Sequence, residues 1–462
     1  MKRENAWKKY DSKEEKKVME FAAGYKDFIT CCKTEREACS FTVDLLKMAG
    51  FVDIKDIIAE NKKLKAYDKV YAVNHDKAVV AFVIGKDNIE NGMNILGAHI
   101  DSPRIDIKQN PLYEEEELVL LDTHYYGGIK KYQWVATPLA LHGVVALKDG
   151  TVKKIVIGEE PADPVVGISD LLIHLAADQL EKKGNKVVEG EDLNILIGSK
   201  PLVSNKKDEK ELVKANILKL LKDKYDICEE DFISAELEAV PAGCARDYGI
   251  DRSMIMGYGH DDRVCAYPSL VATLSVKKPE KTVACILVDK EEIGSVGATG
   301  MHSKFFENMV AEIIDRRYGF SELKLRRTLA NSKMLSSDVS SAYDPNYASV
   351  SEKKNVAYFG RGLVFLKYTG SRGKSGSNDA NAEYIAYLRK IMDDNNVSYQ
   401  TGELGKVDLG GGGTIAYILA NYGMEVIDMG IPVQNMHAPY EVISKADLYE
   451  AYKGYMAFLK NA

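Results

Sequence analysis

At 462 residues, with 45% hydrophobic and 28% charged side chains and a net charge of -7, the chain has the composition of a globular enzyme. It has room for two or three domains, or for one large domain carrying an insertion. The balance excludes disordered, collagen-like and coiled-coil chains, and without a basic excess no nucleic-acid partner is expected. Residues 1–10 lack the apolar core of a secretory signal and no apolar run is long enough to span a bilayer, so a cytosolic protein with no membrane partner is expected. The seven cysteines have neither CxxC nor zinc-finger spacing and are expected to be reduced and mostly buried.

In chain order, Ser12 with Glu15 and Thr34 with Glu37 each have the S/T-x-x-E form of a capping box ahead of apolar residues at helical spacing. Two helices therefore open the chain, the second stopped by Gly50. Short β-rich runs follow at 70–73 and 79–84, and a third, Asn94 to His99, leads straight into a polar cluster. From 105 to 240 the character changes. Strands are expected at 118–121, 139–147 and 152–157, with Asp149-Gly150 as a hairpin turn between the last two, and helices at 169–183 and 206–224. Beyond this segment come a strand at 283–288, a helix at 305–316, a strand at 426–429 and a helix from Ser444 onward. The fold class is α/β: a three-layer mixed sheet, mostly parallel, covered by helices on both faces, with an inserted β-rich domain. The boundaries place the discontinuous domain at 1–104 and 241–462 and the insertion at 105–240.

Five polar knots, each following an apolar run, carry the chemistry. They are Gly97-Ala98-His99-Ile100-Asp101-Ser102-Pro103, Gly259-His260-Asp261-Asp262-Arg263, Asp289-Lys290-Glu291-Glu292-Ile293-Gly294-Ser295, Ser336-Ser337-Asp338 and Met436-His437-Ala438-Pro439. Singly each is commonplace: a His-x-Asp, a solvated Asp-Asp turn or a pair of surface glutamates. Together they supply two histidines and several carboxylates, and in open α/β sheets such residues converge beyond the carboxyl ends of the strands. This nitrogen and oxygen donor set suits zinc, with manganese and cobalt as alternatives, and is rich enough for two ions sharing a carboxylate.

The order His-x-Asp-Ser-Pro, Asp-Asp, Asp-x-Glu-Glu-x-Gly-Ser, Ser-Asp-x-x-x-Ala-x-x-Pro-Asn-Tyr and Met-His resembles the aspartyl aminopeptidase family of cocatalytic metallopeptidases, in its bacterial branch, over nearly the whole chain. The resemblance implies two divalent metal ions per subunit, His99, Asp261 and Asp338 holding one and Asp261, Glu292 and His437 the other. Asp261 would then be the bridge; the family's cis peptide after this residue favours it over Asp262, and the sequence leaves both in play. Asp101 is expected to accept a hydrogen bond from His99 and fix its tautomer. Glu291 is the expected general base, taking a proton from water and returning it to the leaving amine. On an extended segment adjacent side chains point to opposite faces, which would separate the base Glu291 from the ligand Glu292.

The same resemblance makes His174 a substrate contact reaching into a neighbouring subunit, although a histidine among apolar residues is also an ordinary core residue. It makes Lys367 the cation beside the substrate side-chain pocket, favouring acidic N-terminal residues, although an edge-strand lysine has the same sequence. It further implies peptide substrates and a homo-oligomer, a tetrahedral dodecamer in that family, with 105–240 as a dimerisation and chamber domain. Two departures touch specificity: Ser341 stands where the family has a substrate-contacting histidine, and a glycine- and serine-rich run, Gly370 to Ser377, replaces an aromatic. The run Gly410 to Gly413 resembles the family's glycine-containing loop near the substrate. The function expected is a metalloaminopeptidase. The alternatives are a related cocatalytic carboxypeptidase or deacylase, and a non-catalytic scaffold on the same fold.

Overall fold

The computed structural model describes residues 3–203, 210–372 and 375–462. The chain divides into two compact units, one made of 1–102, 245–436 and 441–462, the other of 103–244 together with His437–Tyr440.

The first unit opens with helices Ser12–Cys31 and Glu35–Met48. The second begins with the expected capping box, in which the Thr34 hydroxyl accepts from Glu37 N–H while the Glu37 carboxylate accepts from the backbone of Thr34. The first is capped one residue earlier than expected: Asp11, not Ser12, accepts from Glu14 N–H at 2.8 Å. Adjacent Asp and Ser are equally good caps, and the carboxylate takes the position.

A nine-stranded mixed sheet forms the centre, in the order Val52–Asp53, Lys69–Asn74, Ala78–Val83, Val283–Val288, Asn94–His99, Lys333–Ser336, Glu425–Gly430, Leu363–Leu366, Tyr399–Thr401. Its central strands Ala78–Val83, Val283–Val288 and Asn94–His99 are buried throughout, and the period-two alternation sorts the sheet's side chains between two cores. Val79, Ala81, Leu96, Ala98, Leu287 and Leu335 pack with Tyr25, Phe28, Val264, Leu270, Tyr455 and Phe458. Val80, Phe82, Ile95, Ile286, Val288 and Met334 pack on the opposite face with Phe306, Val310, Ile313, Leu325 and Leu419. A five-stranded sheet in the same unit has the order Arg246–Tyr248, Met254–Gly257, Glu441–Ser444, Pro432–Gln434, Ser340–Ser341.

In the second unit seven antiparallel strands run in the order Val152–Ile157, Leu139–Ala146, Ala235–Pro241, Arg104–Glu115, Leu118–Tyr126, Ile195–Gly198, Gly167–Ile168. The turn at Asp149-Gly150 joins two of them, with Gly150 at φ +88°. The helix expected at 169–183 is absent as a continuous element. Short helical turns Ile173–Leu175 and Ala177–Leu180 stand in its place, because Leu172, Ile173, Leu175 and Leu180 are more than half exposed and no buried face supports a longer helix. The helix expected at 206–224 runs Leu212–Tyr225; residues 204–209, part of its expected start, lie outside the described residues. Four of the seven cysteines are buried, Cys32, Cys39, Cys265 and Cys285. Among the described residues no helix is long and apolar enough to cross a membrane.

Three strands that carry chemistry lie side by side and parallel: Val283–Val288, Asn94–His99 and Lys333–Ser336. Their register pairs Val288 with His99 and Ser336 with Gly97, so all three end at nearly the same level. The loop after Ser336 is pressed against the next strand, where a Cβ on Gly430 would stand 1.7 Å from the Asp338 carbonyl oxygen. Gly430→Ala is therefore expected to lower stability by about 1–3 kcal/mol through overpacking, whereas Gly412→Ala, at a position with open space, stays within about 0.5 kcal/mol. Thermal unfolding of the two variants tests this, and an unchanged midpoint for Gly430→Ala would contradict the close approach.

Candidate metal centre

His99 closes its strand and is 2% exposed. Its Nδ1 lies 3.0 Å from the backbone oxygen of Asp101 and 3.2 Å from Asp101 Oδ1. A carbonyl oxygen can only accept, so Nδ1 carries a hydrogen and Nε2 is the nitrogen left to take either a second proton or a metal ion. Nε2 in turn lies 3.2 Å from Asp261 Oδ1 and 3.8 Å from Glu291 Oε2.

Asp101 does more than orient an imidazole. Its Oδ1 accepts from Glu291 N–H at 3.2 Å and its Oδ2 from Glu292 N–H at 3.1 Å. One buried carboxylate thus ties the loop after Asn94–His99 to the loop after Val283–Val288. The two glutamates begin a 3-10 turn, Glu291–Ile293, following Lys290 at φ +68°. The extended-segment argument for separating them consequently fails, since both carboxylates offer an oxygen within 4.8 Å of a His99 nitrogen and of each other. What distinguishes them must come from their surroundings.

Asp261 and Asp262, joined by a cis peptide bond, begin the element His260–Ser275 with non-helical backbone angles. Their side chains diverge in role. Asp261 Oδ1 faces His99 Nε2, while Asp262 is fully buried and its Oδ2 accepts from His99 N–H at 3.4 Å. Asp338 arrives from the loop after Lys333–Ser336, and one ligand atom each from His99, Asp261 and Asp338 lie within 4.8 Å of one another. This geometry favours Asp261 over Asp262 as the ligand.

The electrostatics suit a cation. Burial pushes the Asp338 carboxyl well above its ordinary range, and Asp262 and Glu291 push it further. Burial pulls the His99 imidazole down, but its bonds to Asp101 and Asp261 outweigh this and hold it well above the usual histidine value. Burial likewise keeps the Cys265 thiol protonated, raised further by Asp262, so the donors facing the crevice are nitrogen and oxygen. Zinc, manganese and cobalt all accept such a set, and these residues fit a small divalent ion.

The remaining expected residues come from other elements. His437 belongs to the second unit, in the connection between strands Pro432–Gln434 and Glu441–Ser444. Its Nδ1 stands 2.7 Å from the Gly128 carbonyl oxygen, which puts the hydrogen on Nδ1 and leaves Nε2 as the nitrogen that could meet a metal ion. His174 is exposed on the turn Ile173–Leu175, not packed in a core. The Lys367 ammonium binds the Asp379 carboxylate and lies over the Tyr368 ring at 4.3 Å, so its charge is already engaged. Ser341 lies on the short strand Ser340–Ser341, and Gly411, at φ +119°, lies where a Cβ would meet the Gly370 carbonyl oxygen. Two residues went unassigned in the sequence. Ser102 donates to the Asp261 carbonyl oxygen at 2.6 Å, and Glu441 Oε2 accepts from Asp261 N–H at 3.1 Å. A glutamate opening the apolar run Glu441-Val442-Ile443 was the available signal.

Comparison with known proteins matches residues 28–459 to the family of aminopeptidase I zinc metalloproteases, M18. A probable M18 family aminopeptidase 1 from Clostridium acetobutylicum is 62% identical, with 99% of this chain and 98% of the relative covered. The crystal structure of aminopeptidase I from Clostridium acetobutylicum superposes with a TM-score of 0.93 at 60% identity, and that of the M18 aminopeptidase from Thermotoga maritima with 0.93 at 43%, each covering 100% of both chains. The S. cerevisiae mApe1 dodecamer shares the fold, with a TM-score of 0.77 at 22% identity over 97% of both chains. The chain belongs to the M18 family and is a metalloaminopeptidase.

Proposed function

We propose that the chain hydrolyses the N-terminal residue of peptides with two divalent ions, which would share Asp261 as a ligand. The convergence of His99, Asp261 and Asp338 on one point supports this most directly. In this reading those three residues would hold one ion, and Asp261, Glu292 and His437 would hold the other. When bound, such a pair polarises the scissile carbonyl and makes a water molecule acidic enough to be deprotonated near neutral pH.

Glu291 is the base. Its backbone is pinned by Asp101, and its carboxylate lies at the edge of the crevice, 3.8 Å from His99 Nε2. It takes the proton of the attacking water and delivers it to the departing amine, so one carboxylate serves both steps. Asp101 fixes the positions of base and ligand relative to each other through the two adjacent N–H groups. The side chain of the N-terminal residue is recognised in part by Lys367. Because Asp379 shares that cation, any acidic preference is weaker than a bare lysine would give.

The chain acts as a homo-oligomer in this reading, and the dodecameric relative of the same fold supports a tetrahedral dodecamer. The exposed Leu172, Ile173 and Leu175 around His174 fit a contact with a second copy, which would carry His174 to the neighbouring subunit's substrate.

Glu291→Gln is expected to lower kcat on aminoacyl chromogenic substrates by about 10²- to 10⁴-fold while zinc content is retained. A metal-replete variant with full activity would remove Glu291 from the mechanism. His437→Ala is expected to reduce bound zinc from about two ions per chain towards one, measured by elemental analysis; undiminished zinc would remove the histidine from the ligand set. Asp379→Asn should raise kcat/KM for N-terminal Asp and Glu relative to Leu by up to about 5-fold, the scale of an exposed ion pair. A ratio that stays the same would place Lys367 outside the specificity pocket.

A further inference from the structure

We infer that Glu441, with Ser102, is a positioning residue for the bridging carboxylate, gripping the backbone of Asp261 at both its N–H and its C=O. The inference rests on the reading above that Asp261 is a ligand to both ions. Its basis is the local geometry. Strand Glu441–Ser444 pairs antiparallel with Met254–Gly257, setting Glu441 opposite Gly257, four residues before Asp261. From there the Glu441 carboxylate, 1% exposed, accepts from Asp261 N–H at 3.1 Å. On the other side of the residue the Ser102 hydroxyl, fully buried, donates to the Asp261 carbonyl oxygen at 2.6 Å.

The neighbouring residues make this grip decisive. Gly259 has φ +75°, and a Cβ there would stand 2.1 Å from Arg263 Nη1 and 2.8 Å from Ser102 Oγ, so the approach to Asp261 has no slack. Arg263 is anchored to the carbonyl oxygens of Ile100 and Lys33, and His260 Nδ1 lies 2.6 Å from the Tyr25 hydroxyl. Residues on either side of Asp261 are thus fixed by side-chain bonds. Asp261 itself lies outside regular helical geometry, where no i to i+4 ladder holds its amide. Beside the contact of its Oδ1 with His99 Nε2, the two backbone contacts hold the Cα from which its carboxylate is aimed, and a ligand serving two ions would have to present both oxygens in fixed directions.

The test uses full-length protein stripped by chelator and titrated with zinc against a competing chromophoric chelator, alongside melting curves of the metal-free forms. Glu441→Ala is expected to weaken zinc binding about 10- to 100-fold, the usual scale for partners of metal ligands. Glu441→Gln is expected to recover most of that loss, because its amide oxygen still accepts from Asp261 N–H. Ser102→Ala should weaken zinc roughly 2- to 10-fold, as for one hydrogen bond, and carries the test if Glu441→Ala does not fold. A purely structural role would lower the metal-free melting temperature and leave zinc affinity unchanged. Wild-type affinity in Glu441→Ala, or in Ser102→Ala if the former is unfolded, would overturn the inference, as would a Gln variant as weak as Ala. Failure of the wild-type protein itself to bind zinc would instead sink the two-ion reading.

Discussion

Burying the carboxylates of Asp261, Asp262 and Asp338 around a single imidazole sets like charges against one another in a poorly solvated crevice. Water screens such repulsion at a surface; here the carboxyl of Asp338 is driven well above its ordinary range by burial first and by its acidic neighbours next. Left to itself the cluster favours protons, the His99 imidazole being held above its ordinary range by Asp101 and Asp261. A divalent cation satisfies the same demand with more charge in less space. The rest of the unit serves to keep these groups together against their repulsion.

That work is done mainly by backbone. Three parallel strands ending level bring His99, the Glu291 turn and the Asp338 loop to one edge of the sheet. Asp101 links two of these loops by accepting two consecutive N–H groups, and Gly430 lets the third lie flat against its neighbouring strand. His99 and His437 use one device to expose Nε2, a backbone carbonyl oxygen facing Nδ1. Main-chain carbonyls do not titrate, so this contact keeps a hydrogen on Nδ1 whatever the pH.

The sequence was most informative where chemistry and periodicity coincide. Apolar runs ending in polar knots marked the strand ends at His99, Val288 and Ser336, and the Thr34 to Glu37 box and the Asp149-Gly150 turn depend only on neighbours a few residues away. Contacts made across long sequence separations were not legible. Glu441 lies 180 residues from the amide it holds, and nothing local shows that Asp379 engages Lys367. The segment around His174 misled for a different reason: its leucines have helical spacing, but spacing reports an apolar face and not what covers it, and in the single chain that face is exposed. The glutamate pair was placed correctly in the chain and wrongly in conformation, because Lys290 in the left-handed region starts a tight turn where an extended segment was expected.

The central claim is that Asp261 stands between two cations. Diffraction from zinc-soaked crystals, recorded on either side of the zinc absorption edge, tests it most directly. Two anomalous peaks are expected about 3.5–4 Å apart, one beside His99 and Asp338, the other beside Glu292 and His437, with an Asp261 oxygen on each. A single peak, or a pair that Asp261 does not touch, would contradict it.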